Sequence, residues 1–191
     1  MIIHPNEVFE VIWAAWFVSW IVASFWTART EKRARTWETW IYRGMICAGV
    51  ILIAPWTAKV LGERPIWEVG HYGANALAGV IAAGLLLTWW ARIHLGRLWS
   101  SAITRKEEHR LVDTGPYGFV RHPIYTGLIT ALLATGATEA TLGGTTGRGD
   151  QFSLWLKARA EESFLAAELG FDAYESYRRR VPMLIPFLPC H

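Results

Sequence analysis

Apolar residues in this chain fall into long, nearly uninterrupted runs, not alternating patterns or narrow helical stripes. The first extends from Val8 to Ala28, with Glu7 and Glu10 at its mouth. A second covers Ile41 to Leu61 and contains Pro55, which predicts a kink near its end. A third, Tyr72 to Ile93, is rich in Gly and Ala and closes on Trp89-Trp90. A fourth begins at Ile124 and extends to about Leu142. Runs of this length are long enough to cross a bilayer. The pattern therefore predicts an all-α, polytopic membrane protein with about four to five transmembrane helices. Small residues at Gly73, Ala76, Gly79, Ala83 and Gly84 predict close helix packing along the third run.

Between the runs the chain changes character. Arg29 to Arg43 and Arg92 to Arg121 are rich in Arg and Lys, whereas Gly62 to His71 is a short connection with Arg64 and Pro65. The positive-inside rule then puts both basic loops in the cytoplasm, with the N-terminus and Gly62–His71 outside. After the fourth run comes Gly143-Gly144-Thr145-Thr146-Gly147-Arg148-Gly149-Asp150-Gln151, a polar break where a returning helix is expected. Glu139 falls near the end of that run. Leu154 to Gly170 reads as a helix with Gly170 as its C-cap. Asp172 to Arg180 reads as a shorter one with Tyr174 and Tyr177 on one face, ended by Val181-Pro182. Two regions follow: residues 1–95 with three membrane helices, and residues 96–191 with a membrane hairpin and C-terminal helices.

Composition agrees with the hydropathy. Of 191 residues 52% are hydrophobic and 12 are Trp, an excess that suits aromatic belts at the bilayer interfaces. A net charge of +3, clustered in loops, suits membrane topology better than nucleic-acid binding. Cys47 and Cys190 do not make a disulfide framework; Cys47 is expected to pack, and Cys190 is not placed as a prenylation box. There is no cleavable signal-peptide pattern.

The densest concentration of special residues is His109-Arg110-Leu111-Val112-Asp113-Thr114-Gly115-Pro116-Tyr117-Gly118-Phe119-Val120-Arg121-His122-Pro123-Ile124-Tyr125-Thr126-Gly127. Gly115-Pro116 is a turn signal, Asp113 a turn residue, and Pro123 can open a helix at its first turn. This stretch, followed by Lys157, Arg159, Glu161-Glu162, Tyr174, Tyr177 and Val181-Pro182, resembles the isoprenylcysteine carboxyl methyltransferase family and its phospholipid methyltransferase relatives. The resemblance covers roughly residues 96–188. Sterol reductases of the membrane carry a similar Arg-His-Pro-x-Tyr element. That leaves a reductase using a nicotinamide cofactor, or a non-catalytic degenerate member, as alternatives.

The resemblance implies a membrane enzyme that moves a methyl group from S-adenosylmethionine to a lipophilic small molecule entering from the bilayer. The acceptor could be a carboxylate. It implies cofactor contacts at His109, Arg110, Leu111, Val112, Tyr117, His122, Pro123, Ile124, Tyr125 and Glu161, and the Gly115 turn can expose backbone donors to the same ligand. It puts the cation that anchors an acceptor carboxylate at Lys157, where the family more often has Arg; Arg159 is the alternative anchor. His122 or a glutamate such as Glu162 could serve as base for an amine or thiol acceptor. Lys157 and Glu161 also have the spacing of an ordinary helix-surface pair. Tyr174 and Tyr177 are expected to pack rather than react, and His4, His71 and His94 to do nothing chemical. No metal site is expected, since no Cys or carboxylate cluster stands at ligand spacing. The expected location is the plasma membrane of a bacterial-type cell with the site facing the cytoplasm, and the sequence leaves the oligomeric state open.

Overall fold

A computed structural model describes residues 5–26, 30–33, 67–99, 104–106, 111–139, 154–159, 161–162 and 171–188. Its helices are α1 (Pro5–Ser24), α2 (His71–Leu95), α3 (Pro123–Glu139) and α4 (Phe171–Arg180), with further helical residues at 154–159 and 161–162. The second apolar run, the polar break at 143–151, Gly170 and both cysteines lie outside the described residues. Among the described residues, α2 is the helix long and apolar enough to span a bilayer. The apolar stretches Val8–Ala23 and Pro123–Thr138 are shorter. The α-helix of the first run ends at Ser24, and the Phe25 and Trp26 N–H groups close a tighter turn on the carbonyls of Val22 and Ala23.

Pro123 opens α3, as its missing N–H allows, and Glu139 is the last residue of that helix. α2 and α3 form the main contact. Gly84 meets Gly127: a Cβ on Gly84 would stand 2.6 Å from the Gly127 carbonyl oxygen, so the two backbones touch where neither residue has a side chain. Trp67 Nε1 donates to the Ala137 carbonyl (3.2 Å), which fixes α3 antiparallel to α2. The rest of the expected small-residue stripe is not at this contact. Gly73, Ala76, Gly79 and Ala83 are exposed, and the buried face of α2 is Ala74, Ile81, Gly84, Leu85, Thr88, Ala91 and Arg92. A run that is apolar all round hides which face packs; only the partner helix selects it.

α1 is tied to both partners by indoles. Trp16 Nε1 donates to Thr88 Oγ1 (2.7 Å) and Trp13 Nε1 to Thr135 Oγ1 (3.1 Å). Each threonine passes its own proton to a carbonyl of its helix, Leu85 and Ala131 respectively. Every polar atom in these relays is satisfied, as an apolar surround demands. Phe9, Ala74, Ile81, Leu85, Ala131 and Ala134 form the core beside them. The outward faces remain apolar: Val11, Phe17, Leu86, Ile93 and Leu133 are all exposed. A helical bundle with an apolar exterior suits lipid as its solvent.

Helices are not the whole architecture. β1 (Thr30–Arg33) pairs antiparallel with β2 (Thr104–Lys106), Thr30 opposite Lys106 and Arg33 opposite Thr104. This ribbon joins the two basic loops, so both leave the bundle at the same end.

Candidate active site

The signature stretch contains a 3-10 turn, Gly115–Gly118, whose second residue is Pro116. Tyr117 N–H closes it on the Thr114 carbonyl (3.1 Å). Gly115 has φ of +57°, a conformation that glycine adopts without cost. A Cβ there would also stand 2.7 Å from the His94 ring. His94 Nε2 lies 2.9 Å from Thr114 Oγ1 and the ring lies near-parallel to Tyr117. His94, at the end of α2, therefore seats the turn, a role for which its position in the sequence offers no signal.

Tyr117 itself is buried, and its carbonyl accepts the Tyr177 hydroxyl (2.7 Å). Tyr174, Tyr177 and Val181 form a small core against Leu111, so α4 supports the turn from behind. Burial, reinforced by nearby Glu161, pushes the Tyr117 phenol above its ordinary value; burial does the same for Tyr174 and Tyr177. All three are neutral phenols at physiological pH and unsuited to act as bases, which agrees with the packing role expected for the α4 pair.

After the turn the backbone is held by the C-terminal strap. Arg121 N–H donates to the Pro182 carbonyl (2.9 Å), His122 N–H to Met183 (3.1 Å), and Thr126 Oγ1 to Leu184 (2.6 Å). Arg121 also reaches back to the Arg178 carbonyl (2.9 Å). Val181-Pro182 thus does more than end a helix: it fixes the two residues that lead into α3.

Around these two residues the candidate side chains converge. Arg121 Nε lies 2.8 Å from Glu162 Oε1, an ion contact off the N–H axis. His122 Nε2 is 3.3 Å from the same oxygen, and its Nδ1 is 3.7 Å from Glu161 Oε2. Tyr125, one turn into α3, stacks on His122 with ring centroids 5.5 Å apart and donates its hydroxyl to Glu161 Oε1 (2.5 Å). Lys157 Nζ sits 5.3 Å from the centre of the Tyr125 ring, within cation–π range. One tyrosine therefore meets both residues, Glu161 at its hydroxyl and Lys157 over its ring. Burial raises the Glu162 carboxyl, but the His122 hydrogen bond and charge, with Arg121 and Arg178, outweigh it and leave it below the usual carboxylate range. Glu162 is thus an anion at neutral pH that holds Arg121 and His122 in place.

Of the expected site residues, His122, Tyr125, Lys157, Glu161 and Glu162 come together. Leu111 and Tyr117 line the supporting side, and Pro123 is buried at the helix start. Val112 is half-buried near Leu111 in the chain, and Ile124 packs with Leu154 and Ala158. Arg159 is exposed and places its guanidinium 4.8 Å from the Trp155 ring centre. His109 and Arg110 lie outside the described residues. Arg121 was legible as a motif residue, but its carboxylate partner lies 41 positions on and could not be read locally.

Comparison with known proteins bears on this geometry. The isoprenylcysteine carboxyl methyltransferase family model matches residues 76–162, from α2 to Glu162. Over these residues, a little under half of the chain, the sequence is similar to that family. A protein-S-isoprenylcysteine O-methyltransferase of Schizosaccharomyces pombe is 33% identical over 126 residues, 62% of this chain and 51% of that protein. The cobalt-zinc-cadmium resistance protein CzcN of Cupriavidus metallidurans is 35% identical over 97 residues, 49% of this chain and 44% of that protein. The chain spans about half the length of these curated relatives. A solved structure of a eukaryotic intramembrane Ras methyltransferase, isoprenylcysteine carboxyl methyltransferase, matches in fold with a TM-score of 0.52. The identity there is 24%, covering 59% of this chain and 42% of that one. The fold and the matched residues are thus similar to those of integral membrane methyltransferases.

Proposed function

We propose that the chain is an S-adenosylmethionine-dependent methyltransferase acting on a lipophilic acceptor. The observation that carries this reading is the convergence of His122, Tyr125, Glu161 and Lys157 on one end of the bundle, inside the stretch that matches the family. Both Arg121-His122 and Glu161-Glu162 belong to that stretch, and the second pair favours this reading over a sterol-reductase-like one.

The donor set fits the cofactor's chemistry. An ammonium or ribose hydroxyl needs an acceptor, and Glu161 Oε2, at 3.7 Å from His122 Nδ1, is outside hydrogen-bond reach of that ring. Adenine needs flat neighbours, which the His122–Tyr125 stack offers. When bound, the cofactor would supply an electrophilic methyl group for in-line displacement. The protein's part is alignment, which can supply much of the rate. Glu162, itself paired with Arg121, holds His122; Tyr125 holds Glu161 through its hydroxyl and Lys157 over its ring. A carboxylate acceptor is already ionised at pH 7 and needs a cation to orient it, a task that suits Lys157 or Arg159 better than a base. His109, Arg110, Leu111, Val112, Gly115, Tyr117, Pro123 and Ile124 complete the proposed cofactor side.

The same reading places the cluster at the cytoplasmic face of a bacterial-type plasma membrane. The β1–β2 ribbon supports it by putting both basic loops at one end, which the positive-inside rule assigns to the cytoplasm. A reporter fused after Lys106 is expected to read cytoplasmic and one after Arg64 external. The test of activity is transfer of a radiolabelled methyl group to a total lipid extract, with calorimetry of S-adenosylmethionine binding. Binding with labelled lipid supports the reading; absence of binding overturns it.

A further inference from the structure

We propose that the strap after α4 is a membrane-interface anchor that seats on anionic phospholipid headgroups. The inference does not depend on the methyltransferase reading. It starts from depth. Gly127 of α3 faces Gly84 and Thr88 of α2. Pro123 lies four residues before Gly127, about 6 Å of helix rise, which on antiparallel α2 reaches past Thr88 to the level of Trp90. Leu95 lies about 7 Å beyond that level. The start of α3 is therefore sunk more than one turn below the end of the membrane-length helix, beside Trp89 and Trp90, residues of the type that marks the headgroup zone.

The strap is hydrogen-bonded to this sunken start. Pro182, Met183 and Leu184 meet Arg121, His122 and Thr126 in order, so the strap descends along α3 toward the bilayer interior. Met183 and Leu184 pack on the core beside Tyr125. The next residues turn outward at the same depth: Ile185 is 60%, Phe187 91% and Leu188 49% exposed. Phe187 has φ of +65°, in the left-handed region that costs a residue with a Cβ about 1–2 kcal/mol. Three apolar side chains held outward at this level, one of them in a strained conformation, are accounted for by lipid contact.

Charge selects the lipid. Arg178, Arg179 and Arg180 form the last turn of α4, immediately before the strap. They share two carboxylates, Glu175 and Asp113, across exposed contacts of 3.3–3.6 Å that are worth little. Positive charge is left over beside an apolar loop, the pairing that binds anionic interfaces.

The experiment uses the full chain in vesicles, with Cys47 and Cys190 replaced by Ser and a bimane fluorophore attached to Phe187→Cys. Ile185→Cys serves as a second labelled variant. Nitroxide placed high on the lipid acyl chain is expected to quench both labels strongly, and aqueous iodide weakly. Adding phosphatidylglycerol to phosphatidylcholine vesicles should increase lipid quenching, and Arg178→Gln with Arg179→Gln should remove that increase. Strong iodide quenching with no response to lipid nitroxide, at both positions, overturns the anchor. Equal quenching in neutral and anionic vesicles overturns the headgroup assignment. Neither readout involves methyl transfer, so failure here is distinct from failure of the proposed function.

Discussion

Arg92 and Arg121 are both buried arginines near the same end of the bundle, and they are used in opposite ways. Arg92 meets only backbone and rings in its described contacts: it donates to the carbonyls of Ala23 (2.7 Å), Trp26 (2.9 Å) and Gly96 (2.6 Å), and Trp99 lies 4.4 Å from its guanidinium carbon. It closes the C-terminal end of α1 from another helix, where exposed carbonyls and the helix dipole favour a cation. Arg121 faces a carboxylate, and that carboxylate faces a histidine. The first arrangement consumes its charge in holding two helices together. The second builds a charged group that other side chains can be organised around. Burial of a charge therefore does not mark a site; the identity of its partners does.

The comparison breaks most easily at Arg92. Arg92→Met removes three hydrogen bonds to a charged donor, each worth about 1.5–3 kcal/mol, so the helical bundle is expected to lose at least about 3 kcal/mol. Thermal unfolding in detergent measures this. Affinity for S-adenosylmethionine in the folded fraction should be unchanged; a fall in affinity at full stability would put both arginines in one site.

The next largest effect is expected at the crossing that sets α3 against α2. Gly127→Val places a side chain against the Gly84 backbone and should destabilise by about 1–3 kcal/mol. Because α3 carries Tyr125 and starts directly after His122, it should also weaken cofactor binding, unlike Arg92→Met. Unfolding and calorimetry on the same sample separate the two outcomes.

Glu162→Gln sharpens the difference through pH. The folded Glu162 carboxyl lies below its ordinary value, so ionised Glu162 contributes stability above the ordinary carboxylate pKa of about 4.3. That contribution is lost as pH falls through the folded value. The stability gap between wild type and Glu162→Gln is therefore expected to be full at pH 7 and to close below about pH 4. A gap that persists at low pH would mean that shape, not charge, holds Arg121 and His122.

How much of this was legible follows from which contacts are local. α2, the Pro123 start of α3, the turn at Gly115 and the end of α4 rest on neighbouring residues, and the sequence shows them. The family resemblance rested on residues 109–127 and 157–182, and the match over 76–162 bears it out as far as Glu162. The choice of Gly84 over Gly73 or Gly79, the Arg92 clamp and the His94 seat depend on partners far away in the chain. The β1–β2 ribbon was equally hidden, since Thr30–Arg33 and Thr104–Lys106 read as charged loops and pair only because the bundle brings them together. Tyr117 shows the practical consequence. Read only as a cofactor contact, it suggests Tyr117→Ala as a binding probe; buried and tied to α4 through its carbonyl, it calls for Tyr117→Phe, which keeps the packing.

The smallest effect on stability, and the finest division of labour, is expected at Lys157 and Arg159. Lys157 sits on Tyr125 inside the cluster, whereas exposed Arg159 sits on Trp155, so the two cations differ as Arg121 and an ordinary surface arginine differ. Arg159→Ala should change stability by no more than about 0.5 kcal/mol, as surface substitutions usually do. If Lys157 orients an anionic acceptor, Lys157→Ala should leave the dissociation constant for S-adenosylmethionine nearly unchanged and lower turnover, because alignment is lost while cofactor contacts remain. Glu161→Gln should do the reverse and weaken the cofactor. Lys157→Arg should keep or raise activity on a carboxylate, since a guanidinium offers two parallel donors. Full activity of Lys157→Ala with loss in Arg159→Ala would move the anchor one residue pair outward, onto the Trp155 side. Full activity of both, in a protein that methylates an acid, would remove the acceptor from this helix and leave Lys157 as a cation that steadies Tyr125.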